Sequence, residues 1–219
     1  MNTIQRFRPA LFALFLLLPA CMTNIYTPSG SGERPAVIIL HSSGGLTPHE
    51  KRFANKLAQN DYVAVAVDYF RRGGTDNIIL AYDQLMQHPR VKKDSIGLVG
   101  FSRGATEAIQ FAYLSHRFSE RRIKAIISFY IGPRVPHYSS ENFPSILFLH
   151  GDQDVHVPAR SIERFCELQT KKGYWCEAVI YTGVKHAFDK QTIEYSGYNR
   201  KATNDAYQRA LTFLSTHLD

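Results

Sequence analysis

Residues 96–105 read Ile96-Gly97-Leu98-Val99-Gly100-Phe101-Ser102-Arg103-Gly104-Ala105. The first six are apolar or glycine, the composition of a strand buried on both faces of a parallel sheet. Ala105, Glu107, Ala108 and Ile109 follow at once, and the first three favour a helix. Between strand and helix stands Gly-x-Ser-x-Gly. In so tight a turn only glycine fits two residues either side of the serine, and the serine's own backbone is strained. The stretch predicts an exposed Ser102 hydroxyl at the carboxyl end of a central strand.

The flanking sequence repeats the same unit. Further strands are expected at Ala36–His41, Tyr62–Asp68, Lys124–Tyr130, Ser145–His150 and Trp175–Tyr181, with the Ser102 strand spanning Ser95–Phe101. Helical patterns fall between them at Pro48–Asn60, Asn77–His88, Arg103–His116 and Pro158–Lys172, and a last one covers Thr203–His217. Strands alternating with helices through short links predict an α/β fold, a doubly wound, mainly parallel sheet of about six strands. The longest insertions are Phe70–Asp76 and Gly132–Pro144, too short for a cap domain.

Composition agrees with one globular domain. The 219 residues are 44% hydrophobic and 21% charged, and 14 Gly and 10 Pro are ordinary numbers. These values exclude disordered, fibrous and multi-span membrane chains. The net charge of +7 comes from scattered pairs such as Arg71-Arg72 and Lys171-Lys172 rather than a basic helix, which argues against a nucleic-acid partner. No Cys-x-x-Cys pair is present, so no metal site is expected.

A serine hydroxyl needs a base to take its proton and an acid to orient that base. Both follow later strand ends. His150-Gly151-Asp152-Gln153-Asp154-Val155-His156 comes after the fifth strand and Lys185-His186-Ala187-Phe188 after the sixth. His186 is preferred to His156 because only it lies in the loop after the last strand. Asp154, two residues into its loop, is preferred to Asp152, which is expected to cap the turn. An oxyanion would be held by the amide of Arg103 and that of Ser42, with Ser43 as second choice, from the glycine-rich turn His41-Ser42-Ser43-Gly44-Gly45. His41 is expected only to hydrogen-bond within that turn. Arg71, Arg72 and Arg134 sit in the two insertions, and Lys185 and Lys190 flank the histidine loop. Such cations suit a carboxylate-bearing ester or lactone, or else they simply face solvent or an anionic membrane surface.

These segments, VIILHSSGG, YVAVAVDY, GLVGFSRGA, LHGDQDVHVP and KHAFD, together resemble the dienelactone hydrolase family of α/β-hydrolases over residues 35–218. The resemblance implies carboxylic-ester or lactone hydrolysis through an acyl-enzyme, without metal or cofactor, by Ser102, His186 and Asp154. Three departures separate the chain from the founding enzymes. They carry cysteine where this chain has Ser102, a glutamate near the position of His41, and extra N-terminal strands for which residues 22–34 leave no room. Serine peptidase and polysaccharide or polyester esterase activities use the same scaffold and stay open, as does a non-catalytic binding protein.

The N-terminus carries a separate message. Arg6 and Arg8 precede an apolar run, Leu11 to Leu18, too short to span a bilayer, so residues 1–20 read as a signal peptide. Leu18-Pro19-Ala20-Cys21 resembles a bacterial lipobox, which implies a lipidated Cys21 and a membrane-anchored protein facing the periplasm or cell surface. Residues 21–34 are expected to form a flexible tether ahead of a domain covering 35–219. Export also places Cys166 and Cys176 in an oxidising compartment, where they are expected to form a disulfide.

Overall fold

The computed structural model describes residues 24–70, 74–136, 143–191 and 197–218. Seven strands form one sheet: β1 (Ile25–Tyr26), β2 (Arg34–Leu40), β3 (Val63–Val67), β4 (Val91–Phe101), β5 (Ala125–Phe129), β6 (Ser145–Gly151) and β7 (Cys176–Tyr181). Their spatial order is β1-β3-β2-β4-β5-β6-β7, and every pairing but β1 with β3 is parallel. The five strands β2 to β6 are almost wholly buried runs, because helices cover both faces.

Side-chain alternation distributes those runs between two cores. Ala36, Ile38 and Leu40 of β2 face a layer with α2 (Thr75–Gln87), α3 (Arg103–Phe118) and α4 (Ala159–Lys171). Val37 and Ile39 face the opposite layer with α1 (Pro48–Ala58) and α5 (Arg200–Leu218). The helices are anchored by the stripes read in sequence: Phe53, Ala54 and Leu57 on α1, Ile162 and Phe165 on α4, and Ala206, Ala210, Phe213 and Leu214 on α5. Thr47 caps α1 through a capping box, its side chain accepting from the His49 amide at 3.2 Å while Glu50 accepts from the Thr47 amide at 2.9 Å.

β2 lies between β3 and β4, so the chain leaves it once toward each side of the sheet. That reversal opens a crevice beyond the carboxyl ends of β2 and β4, where doubly wound sheets bind ligands. Among the described residues no secondary-structure element covers the carboxyl edge.

The mainly parallel sheet of about six strands is borne out, with seven strands in all. One expectation needs correction: residues 24–34 are not a free tether. Ile25 and Tyr26, two apolar residues in a polar stretch, pair antiparallel with Val65 and Ala64 and cover the edge of β3. Pro28 is buried, and Arg90 donates from Nε to the Gly32 carbonyl at 2.6 Å. The rest of the N-terminal reading, residues 1–20 and Cys21, lies outside the described residues. β4 also begins four residues earlier than expected, its polar start Lys92-Lys93-Asp94 having concealed it.

Cys166 on α4 and Cys176 at the start of β7 form the expected disulfide, with Cα atoms 5.0 Å apart. The bridge ties the edge strand β7, which pairs only with β6, to the helix before it.

Candidate active site

Ser102 adopts φ 54° and ψ −116°, the left-handed conformation expected of a serine between strand and helix. Its amide donates to Phe129 O at 3.0 Å, and its carbonyl accepts from Ala105 at 2.9 Å and Gly132 at 3.2 Å. The bracketing glycines are obligatory. A Cβ on Gly100 would come within 2.4 Å of the backbone of Gly104 and Ala105, and one on Gly104 within 2.3 Å of Leu40 O. Close packing of α3 against β2 and β4 thus fixes where the hydroxyl points.

The loops after β6 and β7 meet that hydroxyl. His186 Nε2 lies 2.9 Å from Ser102 Oγ, and His186 Nδ1 lies 2.6 Å from Asp154 Oδ2. Asp154 can only accept, so Nδ1 carries the proton and Nε2 presents its lone pair to the serine. The other carboxylate oxygen, Oδ1, accepts from the amides of His156 at 2.8 Å and Val157 at 3.3 Å. Burial alone would raise the Asp154 pKa, but the His186 hydrogen bond, its charge and the His156 amide outweigh that and hold the carboxyl below its ordinary value. His150 stands 3.4 Å from Asp154 Oδ2 and donates to Val157 O at 2.8 Å; burial pushes its pKa down, so it stays neutral. Asp152 instead accepts from the Gly183 amide at 2.7 Å, tying the loop to the turn after β7 as a cap.

An open cavity of about 680 Å³ surrounds this line of atoms. Ser42, Ser43 and Gly44 form one wall, Arg103 and Tyr130 another, with Gly132, Pro133, His156, Ala187 and Lys190 completing it. Arg103, Ser42 and Ser43, the residues expected to hold an oxyanion, thus all line the cavity that contains Ser102. The guanidinium of Arg103 turns away, 4.2 Å from the Phe70 ring centre and 3.6 Å from Glu107. His41 is fully buried and bonds Ser42 O at 2.5 Å through Nδ1, with Nε2 3.2 Å from Asp68. Of four non-glycine residues with positive φ among those described, Ser102, Tyr130 (35°) and Ala187 (51°) all line this cavity. Backbone strain concentrates at functional sites in this way.

Of the expected cations, Arg134, Lys185 and Lys190 are described, and they do not converge on Ser102. Arg71 and Arg72 lie outside the described residues. Lys185 is exposed and off the cavity, its neighbour His186 taking the inward position. Arg134 lines an adjoining cavity. Lys190 does reach the wall, but its Nζ is engaged, donating to Ser42 Oγ at 2.8 Å and lying 3.4 Å from Glu50 Oε1.

Behind this wall is a polar cluster that sequence reasoning missed. His49 Nε2 meets Asp189 Oδ2 at 2.9 Å, and Tyr130 donates to Asp189 Oδ1 at 2.7 Å while its ring stands edge-on to His186 at 5.0 Å. The only available signal was Asp189 within Lys185-His186-Ala187-Phe188-Asp189; Glu50 and His49 resembled an ordinary acidic helix start. Burial alone would lower the His49 pKa, but Asp189 and Glu50 raise it to about 9. Burial would raise that of Glu50, yet His49, Lys190 and Thr47 hold it at about 2.

Comparison with known proteins agrees with this architecture. The dienelactone hydrolase family model matches residues 22–85 and 75–218. The "Putative carboxymethylenebutenolidase" of Aquifex aeolicus is 26% identical over 220 residues, covering 89% of this chain and 92% of that protein. A dienelactone hydrolase-like promiscuous phosphotriesterase from metagenomic libraries superposes with a TM-score of 0.74 at 19% identity, over 87% of this chain and 89% of its own. Thermogutta terrifontis esterase 2 gives 0.70 at 20% identity, over 88% of each chain. Those two structures share the fold, and the match to the family model runs from β1 to the end of α5. The chain belongs to the dienelactone hydrolase family.

Proposed function

We propose that the protein hydrolyses carboxylic esters or lactones through an acyl-enzyme on Ser102. The observation that carries this reading is the continuous line Ser102 Oγ, His186 Nε2, His186 Nδ1, Asp154 Oδ2, with contacts of 2.9 and 2.6 Å. Ser102 Oγ attacks the substrate carbonyl while His186 Nε2 takes its proton, and Asp154 stabilises the imidazolium. The tetrahedral oxyanion is held by the amides of Arg103 and Ser42, with Ser43 alongside. Collapse expels the alcohol, which takes the proton from His186. Water then repeats the sequence on the acyl-serine and releases the acid. Carboxymethylenebutenolidases are lactone hydrolases by name, and Thermogutta terrifontis esterase 2 is phosphorylated by paraoxon, both in keeping with this chemistry.

The test is labelling with a fluorophosphonate probe, mapped by mass spectrometry, followed by a panel of esters and lactones. A label on Ser102 that is lost in Ser102→Ala is expected. A labelled wild type that cleaves none of the panel would favour peptidase activity, and no label at all would favour a binding protein.

We also propose export and acylation of Cys21, supported by the sequence Leu18-Pro19-Ala20-Cys21. Two or more acyl chains would give stable membrane attachment. Cys21→Ala should release the protein in soluble form, and an N-terminal peptide with unmodified Cys21 would overturn the anchor.

A further inference from the structure

Trp175, the chain's one tryptophan, is 41% exposed although it lines a hollow of about 370 Å³ between the start of β7 and α5. Its ring is clamped. Phe213 packs on it with ring centres 5.2 Å apart and His217 at 4.7 Å, and those two rings meet each other at 4.6 Å. Its backbone is held as well: the carbonyl accepts from the Ile146 amide at 3.1 Å, and the next residue is the bridged Cys176. Phe213 is buried, and burial lowers the His217 pKa, so at neutral pH the stack carries no charge. A lone exposed aromatic needs no explanation. One clamped in place, with part of its surface open in a cavity, is a rigid platform that loses little entropy when a ligand stacks on it.

The rest of the lining is mostly polar. Glu177, two residues on, lies on the same side of the strand, and Asp205, Gln208, Arg209 and Thr212 form one stripe of α5. Asp205 Oδ2 accepts from the Tyr181 hydroxyl at 2.8 Å and from Arg209 Nε at 2.7 Å, and Arg209 Nη1 lies 3.8 Å from Glu177 Oε1. Both bonds to Asp205 fall on Oδ2. That leaves Oδ1 to accept from a ligand, and the exposed Gln208 amide and Arg209 guanidinium to donate. Acceptors and donors side by side suit hydroxyl groups, each of which both donates and accepts. An ammonium could only donate and a carboxylate or phosphate only accept, so either would leave half the rim unmatched.

We propose that this hollow binds a pyranose unit of a neutral glycan, with the sugar's C–H face on Trp175 and its hydroxyls against Asp205, Gln208 and Arg209. A ring of the β-glucose type carries its hydroxyls around the edge and bare C–H bonds on both faces. Those weakly positive hydrogens settle on the negative face of an aromatic ring. The site is separate from the reacting groups, because the two cavities share no lining residue. Trp175 precedes the amino end of β7, whereas Ser102 follows the carboxyl end of β4, and β4 to β7 all run parallel. Sugar binding here therefore goes beyond ester hydrolysis at Ser102 and does not depend on it.

The single tryptophan makes the test direct. Trp175 fluorescence of the wild type is titrated with methyl β-glucopyranoside, cellopentaose and chitopentaose. Calorimetry repeats the titrations on wild type, Trp175→Phe, Trp175→Ala and Gln208→Ala, each first shown to be folded by thermal unfolding. A saturable fluorescence change with at least one sugar is expected, at a Kd of about 1 mM or tighter. Equal affinity for the methyl glycoside and a pentasaccharide identifies a free sugar as the ligand, and tighter binding of the pentasaccharide a glycan chain. Trp175→Phe should bind within about threefold of wild type, Gln208→Ala about fivefold more weakly, and Trp175→Ala about tenfold more weakly or worse. No response to any sugar, or unchanged binding in Trp175→Ala, would overturn the site. So would a response of Trp175 to tetramethylammonium without one to the sugars.

Discussion

Lys190 Nζ stands 3.4 Å from the carboxylate of Glu50, a side chain with no solvent exposure. The same ammonium donates to Ser42, so one cation joins the histidine loop, the start of α1 and the turn after β2. Removing one partner of a buried pair costs about 3–5 kcal/mol when the other charge is left uncompensated, but His49, 3.5 Å from the same carboxylate, and Thr47 still support Glu50. Lys190→Met should therefore destabilise measurably in urea, by less than that range. The double variant Lys190→Met/Glu50→Gln should lose less than the two single losses combined, and strict additivity would show the pair to be uncoupled.

Stability should depend on pH through the same cluster. Glu50 is depressed from 4.5 to about 2, so its contribution is complete above pH 4.5 and drains away as pH falls toward 2. His49 is raised from 6.5 to about 9, so its contribution is complete below pH 6.5 and is lost as pH rises through 9. Asp189, Lys190 and Thr47 face these two groups, and Tyr130 donates to Asp189. Thermal unfolding across pH should show a plateau between these limits, with His49→Gln flattening the alkaline limb and Glu50→Gln the acid limb.

Asp154→Asn should keep the fold and lower ester turnover by roughly 10⁴-fold, because an amide no longer demands a proton on His186 Nδ1. Near-native kcat in that variant would remove Asp154 from the mechanism.

Gly104→Ala places a methyl 2.3 Å from Leu40 O, against backbone that cannot yield. The loss should reach or exceed about 3 kcal/mol, the upper range of ordinary overpacking. Calorimetry is the direct measurement, and an unchanged Tm would show that α3 can move off β2.

The Cys166–Cys176 bridge closes a separation of ten residues and should contribute roughly 2–3 kcal/mol by loop entropy. Unfolded, unreduced protein should show neither cysteine titratable, and the Cys166→Ala/Cys176→Ala variant should unfold at lower denaturant.

The sequence showed the site where chemistry leaves a local pattern. Gly100-Phe101-Ser102-Arg103-Gly104 encodes its own turn, and the Asp154 and His186 loops follow apolar runs whose ends mark the sheet's carboxyl edge. The Lys190–Glu50 pair left no such pattern, because it joins residues 140 positions apart in sequence and exists only once α1 has docked. For the cations, charge counting identified arginines near strand ends but not which way they face: Arg134 lies across the His156 wall and Lys185 points outward. Ile25–Tyr26 escaped notice because two residues give no periodicity, and only the open edge of β3 makes them a strand.

That small strand changes how the protein would sit on a membrane. With a free segment to residue 35, an acylated Cys21 would leave fourteen residues of slack, about 50 Å of reach. Pinning Ile25 to Val65 leaves four, or about 14 Å. The hydrolase would then ride almost flush with the lipid, held by the edge of the sheet farthest from β7, and its orientation would be set by a short mount rather than averaged over a long leash.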